Sequence, residues 1–95
     1  MYQEWEINVL GYEYLILHKK PKIAESIFRA NTILHPNSAN VFDSYAESLM
    51  MNGDLKASAV NYQKAIDLGI KNGDPNLQLF KDNLAKVKSR LAEKK

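Results

Sequence analysis

The chain repeats a pattern of small and aromatic residues at an interval of 34 positions. Phe28 and Tyr62 are 34 positions apart, and so are Ala24 and Ser58, so that an aromatic residue follows a small one by four positions in both places. A period of this size is typical of stacked helix pairs, because one pair cannot bury its apolar face alone. The repeat therefore predicts an all-α fold in which two helix pairs stack on each other.

The spacing of apolar residues predicts the first pair of helices. The first helix is expected from about Gln3 to His18, with a core stripe at residues 7, 10, 14 and 17. It should end before Pro21, because the residue that precedes a proline is displaced from helical geometry. Pro21 can then occupy the first turn of the second helix. The apolar stripe of that helix consists of Ile23, Ala24, Ile27, Phe28 and Leu34.

Turn residues mark the second pair. Asn37 or Ser38 can cap the third helix, which is predicted to end at Asn52-Gly53, where glycine supplies a left-handed cap. The fourth helix is expected from about Leu55 to Leu68. Residues 69–73, with a glycine at each end, are then predicted to form the longest break in the chain.

The last segment predicts a basic capping helix. Asp74-Pro75 favours a helix start, and one narrow apolar stripe follows at Leu77, Phe80, Leu84, Val87 and Leu91. Residues 71–95 contain seven Lys or Arg and three Asp or Glu, whereas residues 1–18 contain three Glu and no Lys or Arg. Such a stripe can meet phosphates, but no aromatic or amide side chains alternate with these bases on an exposed face. The pattern therefore does not favour nucleic acid as the partner.

Several short motifs resemble tetratricopeptide repeats. They are Leu10-Gly11 with Tyr14, Asn52-Gly53-Asp54, and Tyr62-Gln63-Lys64-Ala65 with Ile66. The resemblance implies two antiparallel helix pairs in a right-handed superhelix, covering about residues 4–36 and 38–69, and a capping helix over about 75–93 within one domain, 1–95. The sequence departs from the family at the first turn, which is one residue longer, at Asn31 and Ser58, where alanine is usual, and at the missing proline after the second repeat.

The resemblance also implies a binding groove, because the first helix of each pair lines the concave side in that family. The residues at the inward positions are Asn8, Tyr12, Asp43, Glu47, Gln78 and Asp82, with Trp5 at the rim. The two carboxylates of the second repeat favour a basic or polar protein or peptide over an acidic one. A solvated helix face explains the same two residues equally simply.

The first helix also carries a second set of apolar residues beside its core stripe. Trp5, Val9, Tyr12 and Ile16 form this strip. If the chain is a piece of a longer protein, the strip has lost its cover and a homodimer through it is expected.

Few residues suit catalysis or metal binding. His18 and His35 stand at turns without acidic or histidine partners at ligand spacing. No serine is flanked by the glycines of a nucleophile turn, no cysteine exists, and Asn52-Gly53-Asp54 does not continue into a calcium loop. We expect no enzyme activity, no metal and no cofactor.

A second resemblance concerns the setting of the module. Residues 35–47 and the tail around Asp74-Pro75-Asn76-Leu77 are similar to the repeat tails that follow the catalytic domain in some bacterial serine hydrolases, both esterase-like and penicillin-binding-like. This implies an accessory domain without an active site. Three functions therefore remain open: an adaptor that binds a protein or peptide, a hydrolase appendage, and a self-associating structural unit.

The sequence shows neither a signal peptide nor an apolar run long enough to span a membrane. A complete chain is then expected in the cytoplasm, and a fragment of a secreted hydrolase outside it.

Overall fold

The chain folds into five α-helices, as the computed structural model of the protein shows for residues 2–93. The helices are α1 (Glu4–Tyr12), α2 (Pro21–Leu34), α3 (Ala39–Met51), α4 (Leu55–Asn72) and α5 (Leu77–Glu93), and a π-helical turn over Glu13–Leu17 continues α1. No β-strand occurs within residues 2–93. The predicted all-α class is confirmed. None of the helices in this range is long and apolar enough to cross a membrane.

Each helix packs mainly against its neighbours in sequence, and the buried residues form two clusters of unequal size. The larger cluster lies among α3, α4 and α5 and is centred on Phe42, Tyr62 and Phe80. The smaller one joins the π-helical turn to α2 through Leu15, Ala24 and Phe28. The helices α1 and α5 therefore form the two ends of a stack.

The contact between α1 and α2 depends on Gly11. A Cβ atom at this position would lie 2.5 Å from Cε1 of Phe28, far inside van der Waals contact. Phe28 is fully buried, so its ring cannot move aside. The absence of a side chain at Gly11 thus allows the Phe28 ring to lie directly on the backbone of α1.

The corresponding residues of α3 and α4 in the repeated sequence pattern are also buried. Tyr62 and Ala46 are buried at the positions that correspond to Phe28 and Gly11. The buried hydroxyl of Ser58 donates a hydrogen bond of 2.7 Å to the backbone oxygen of Ala46. Serine thus replaces the usual alanine without leaving a buried polar group unsatisfied.

The predicted core stripe of the first helix is correct at Ile7 and at Tyr14, which is half-buried against the smaller cluster, and wrong at Leu10 and Leu17. Ile7, Gly11 and Leu15 are buried, whereas Leu10 and Leu17 are 43 % and 74 % exposed. The π-helical turn accounts for the exposure of Leu17, because it inserts one residue and rotates the side chains that follow. Ile7 and Phe42 are 35 positions apart but Leu15 and Leu49 are 34. The extra residue of the first repeat therefore lies inside the helix and not in the turn.

The end of α4 also differs from the prediction, since the helix continues through Gly69 to Asn72. Gly69 is buried, and a Cβ atom there would lie 3.2 Å from Leu77 and 3.4 Å from Phe80. The glycine is a packing position for α5 and not a breaker. The break is therefore shorter than predicted, and it ends at Leu77, where α5 begins. Within the break, the Asp74 carboxylate accepts a hydrogen bond from the backbone N–H of Asn76.

Two successive helices end in the same motif. At the end of α3 the backbone N–H of Asp54 bonds to Leu49, and at the end of α4 that of Asp74 bonds to Gly69. Gly53 and Gly73 stand directly before these two aspartates and have positive φ angles of 87° and 64°, respectively. The predicted glycine cap at Gly53 is confirmed.

Asn31 and Ser38 hold the beginning of α1. The Asn31 amide is fully buried and donates to the backbone oxygen of Glu4 at 3.1 Å. Ser38 occupies the N-cap position of α3, but its hydroxyl donates to the Glu4 carboxylate at 2.7 Å, and it makes no cap bond. The two hydrogen bonds attach Glu4 to the end of α2 and to the start of α3.

We expect Gly11→Ala to destabilise the protein. Overpacking against the Phe28 ring costs about 1–3 kcal/mol, which exceeds the roughly 1 kcal/mol gained when glycine is removed from a helix. Phe28→Leu removes the ring atoms that the new Cβ atom would meet. Urea unfolding of the two single variants and the double variant should show a smaller cost of Gly11→Ala when Phe28→Leu is already present. Equal costs with and without Phe28→Leu would contradict the contact.

We expect Tyr62→Ala to lower the free energy of unfolding by about 3–5 kcal/mol, because the largest fully buried side chain is lost from the larger cluster. Tyr62→Phe is the matched control, since it keeps the ring. Chemical denaturation monitored by circular dichroism gives both values. A mild effect of the alanine variant would show that the ring does not support the stack.

Candidate functional site

A row of polar side chains runs across α1, α3 and α5. This surface, called the polar face here, consists of Tyr12, Asp43, Ser44, Glu47 and Asn83. Asp43 and Glu47 are separated by one helical turn and so share a side of α3. Hydrogen bonds join the three helices along this row, from Tyr12 to Glu47 and from Asn83 to Asp43.

Tyr12 forms the first link of the polar face. Its hydroxyl donates to Oε1 of Glu47 at 2.5 Å and lies 3.4 Å from Oγ of Ser44. The ring meets Phe28 edge to face, with centroids 4.9 Å apart. Burial, followed by the hydrogen bond to Glu47, raises the pKa of the Tyr12 phenol. Tyr12 therefore remains a neutral hydrogen-bond donor over the physiological pH range.

Asp43 forms the second link. Its Oδ1 accepts a hydrogen bond of 3.1 Å from the Asn83 amide. Burial raises the pKa of Asp43 most, the bond from Asn83 opposes this, and the charges of Glu47 and Asp74 raise it further. The carboxylate is thus half-buried beside two others and is bonded by a neutral donor.

Tyr62 lies beneath this pair of acids. Burial raises the pKa of its phenol, and the next causes are the charges of Asp43 and Glu47. The core aromatic of the second repeat therefore lies within the field of the polar face.

Asn83 is the residue of the polar face that the sequence does not assign to the groove. The α5 residues predicted for it are Gln78 and Asp82, which are exposed and bond to each other at 3.0 Å. Asn83 follows Asp82 directly, and it stands one residue before the buried Leu84. This position at the edge of the apolar stripe is the signal that could have identified it.

Asn8 and Trp5 occupy the α1 side of the polar face. Asn8 is half-buried one turn before Tyr12, and its Oδ1 is a buried atom without a hydrogen-bond partner among the described residues. Trp5 is 67 % exposed. Trp5 therefore offers an exposed aromatic surface on this flank, whereas the Asn8 oxygen is covered by the protein.

The apolar strip on the first helix is only partly exposed as expected. Trp5, Val9 and Ile16 are exposed, whereas Tyr12 is half-buried by its contacts with Phe28 and Glu47. Tyr12 belongs to the polar face. The exposed strip instead includes Tyr2, Leu10 and Leu17.

The two histidines lie in other environments. Nε2 of His35 is 3.4 Å from the backbone oxygen of Tyr2, and the His18 ring lies 5.0 Å from that of Tyr14. Within residues 2–93, no group of three or more His, Cys, Asp or Glu is arranged to hold a metal ion. The chemistry that the polar face itself offers is hydrogen bonding and negative charge.

No protein-family model, curated protein or solved structure compared with this chain matches it. The geometry described above is therefore the basis for a functional proposal.

We expect Asp43→Asn to stabilise the protein at pH 7. The raised pKa means that the folded state holds the Asp43 proton more tightly than the unfolded chain, so stability falls as the pH rises from the ordinary pKa through the raised one. Asparagine removes this cost and keeps an acceptor for Asn83. The rise in thermal midpoint should vanish well below about pH 4, where the carboxyl is protonated in both states. A destabilised variant at pH 7 would contradict the assignment.

Proposed function

We propose that this chain is a non-catalytic helical-repeat module that binds a basic protein segment or peptide on its polar face. The observation that carries the proposal is the environment of Asp43. This half-buried carboxylate is close to those of Glu47 and Asp74 and is bonded by the uncharged amide of Asn83. The similarity to tetratricopeptide repeats supports the same surface, because the first helices of the pairs line the groove there.

Electrostatics favour a cationic ligand on this surface. Burial and the neighbouring carboxylates make the ionised form of Asp43 costly, as its raised pKa shows. A lysine or arginine side chain would offset that cost, whereas an acidic ligand would add to it.

The free hydrogen-bond acceptor sites of Asp43 and Glu47 also favour a basic ligand. An ionised carboxylate offers about four acceptor sites. Tyr12 occupies one site on Glu47 and Asn83 occupies one on Asp43. Sites remain for the fixed donors of a guanidinium group, which pairs with carboxylates in a bidentate manner. Trp5 offers an exposed aromatic surface at the rim for the remainder of the ligand.

We expect a short arginine-and-alanine peptide with blocked ends to bind the protein, and to bind less tightly as salt rises. Asp43→Asn with Glu47→Gln removes both charges and keeps acceptors for Asn83 and Tyr12. Fluorescence anisotropy should show binding weakened about tenfold or more. The control variant, Asp67→Asn with Glu93→Gln, changes two exposed acids outside the polar face and should bind normally.

A glutamate-and-alanine peptide of equal length tests the sign of the charge and should not bind. Unchanged arginine-peptide binding by the D43N/E47Q variant would refute the polar face as the site.

Self-association is a second candidate, which the exposed apolar side chains of α1 favour. It can be tested separately, because no residue of the polar face belongs to these exposed side chains, although Trp5 borders both surfaces.

A further inference from the structure

The α1 end of the stack is apolar and acidic. Six large apolar side chains of this end are exposed by 43–74 %, namely Tyr2, Trp5, Val9, Leu10, Ile16 and Leu17. Glu6 and Glu13 stand on the same side of the helix as Val9, and the three residues share a hollow of about 340 Å³ with Tyr2, Ile7 and Leu10. Two carboxylates therefore flank an apolar surface that other helices of the chain do not cover.

The α5 end of the stack has the opposite charge. A cleft of about 490 Å³ lies between α4 and α5, and its apolar lining consists of Ala59, Val60 and Leu84. Lys64 and Lys88 border this cleft, together with Gln63 and Asp67. The Lys64 ammonium lies 5.2 Å from the centroid of the Phe42 ring. Val60, at the open side, is 67 % exposed.

We propose that the chain associates head to tail, with the α1 surface of one copy in the α4–α5 cleft of the next. This deepens the self-association proposed above and rests on it. The apolar side chains around Val9 would meet those around Val60. The carboxylates of Glu6 and Glu13 would stand opposite the ammonium groups of Lys64 and Lys88.

Charge decides between this arrangement and a symmetric dimer. A two-fold contact of the α1 surface with itself brings the Glu6 and Glu13 carboxylates of two copies into one interface, and like charges there oppose association. The head-to-tail contact pairs opposite charges instead. It agrees with the charge of the whole ends, three acidic residues and no Lys or Arg in 1–18 against seven basic and three acidic residues in 71–95.

The packing of the helices within one copy also favours a contact between the two ends. The helix α3 contacts both α2 and α4, whereas α1 and α5 each have a neighbour on one side. In a stack of helices, the two uncovered sides are where another layer can continue. Because such an interface is heterologous, it predicts rings or open chains of several copies and not a single symmetric dimer.

Sedimentation equilibrium of the intact chain tests this directly. We expect the weight-average mass to rise with concentration beyond that of a dimer, with a blue shift in the emission of Trp5, the single tryptophan. Glu6→Lys with Glu13→Lys should weaken association about tenfold or more, and so should Lys64→Glu with Lys88→Glu. Each variant alone presents like charges at both surfaces.

Mixing the two charge-reversed variants is the decisive measurement. The basic α1 surface of E6K/E13K fits the acidic cleft of K64E/K88E, and the unchanged surfaces of the two variants fit each other, so association should return in the mixture alone. The control variant, Lys22→Glu with Lys56→Glu, changes the same charge at exposed residues outside the cleft and should associate normally. Circular dichroism checks that helicity is retained.

Other outcomes separate the proposals. Wild-type protein that remains monomeric at every concentration would overturn both self-association and the head-to-tail contact. Association that stops at a dimer and ignores K64E/K88E would support the α1 surface as an interface but overturn the cleft as its partner. The D43N/E47Q variant should associate normally, so peptide binding on the polar face is judged independently.

Discussion

The fold depends on the contact of the Phe28 ring with the backbone of Gly11. Because no Cβ atom intervenes, α1 approaches α2 closely enough for the ring to be fully buried. The same ring then supports Tyr12 edge to face, which directs the phenol toward Glu47. A core contact of the first repeat thus positions the donor that links α1 to α3. The polar face has its observed geometry because a glycine stands one residue before Tyr12.

The sequence predicts the parts of the fold that depend on local chemistry. Proline at the start of α2 and glycine after α3 have fixed backbone preferences, and both are placed correctly. The predicted stripe of the first helix is wrong at Leu17 because a π-helical turn changes the period without any marker residue. Gly69 is predicted as a breaker because its isolated preference favours a turn. In the folded protein Gly69 packs against Phe80 and lies inside α4.

Prediction of the candidate site from the sequence is limited in the same way. The spacing of Asp43 and Glu47 predicts that they share a face of α3, since helical periodicity alone determines this. The spacing cannot predict that the side chains of Tyr12 and Asn83 bond to these two acids, because those contacts depend on how α1 and α5 are oriented against α3. Asp82 and Asn83 are consecutive residues of α5 and therefore face different directions. Asn83 bonds to Asp43, whereas Asp82 bonds to Gln78.

The unequal size of the two buried clusters has a consequence for local opening of the folded protein. The larger cluster joins helices that are consecutive in the chain and connected by short turns with their own hydrogen bonds, so its loops close at little entropic cost. The smaller cluster has three buried members and includes the π-helical turn. Fewer buried apolar residues hold α1 than hold α3, α4 and α5, so local opening is expected at α1 first. Local opening of α1 then detaches Tyr12 from the acids while the rest of the protein remains folded.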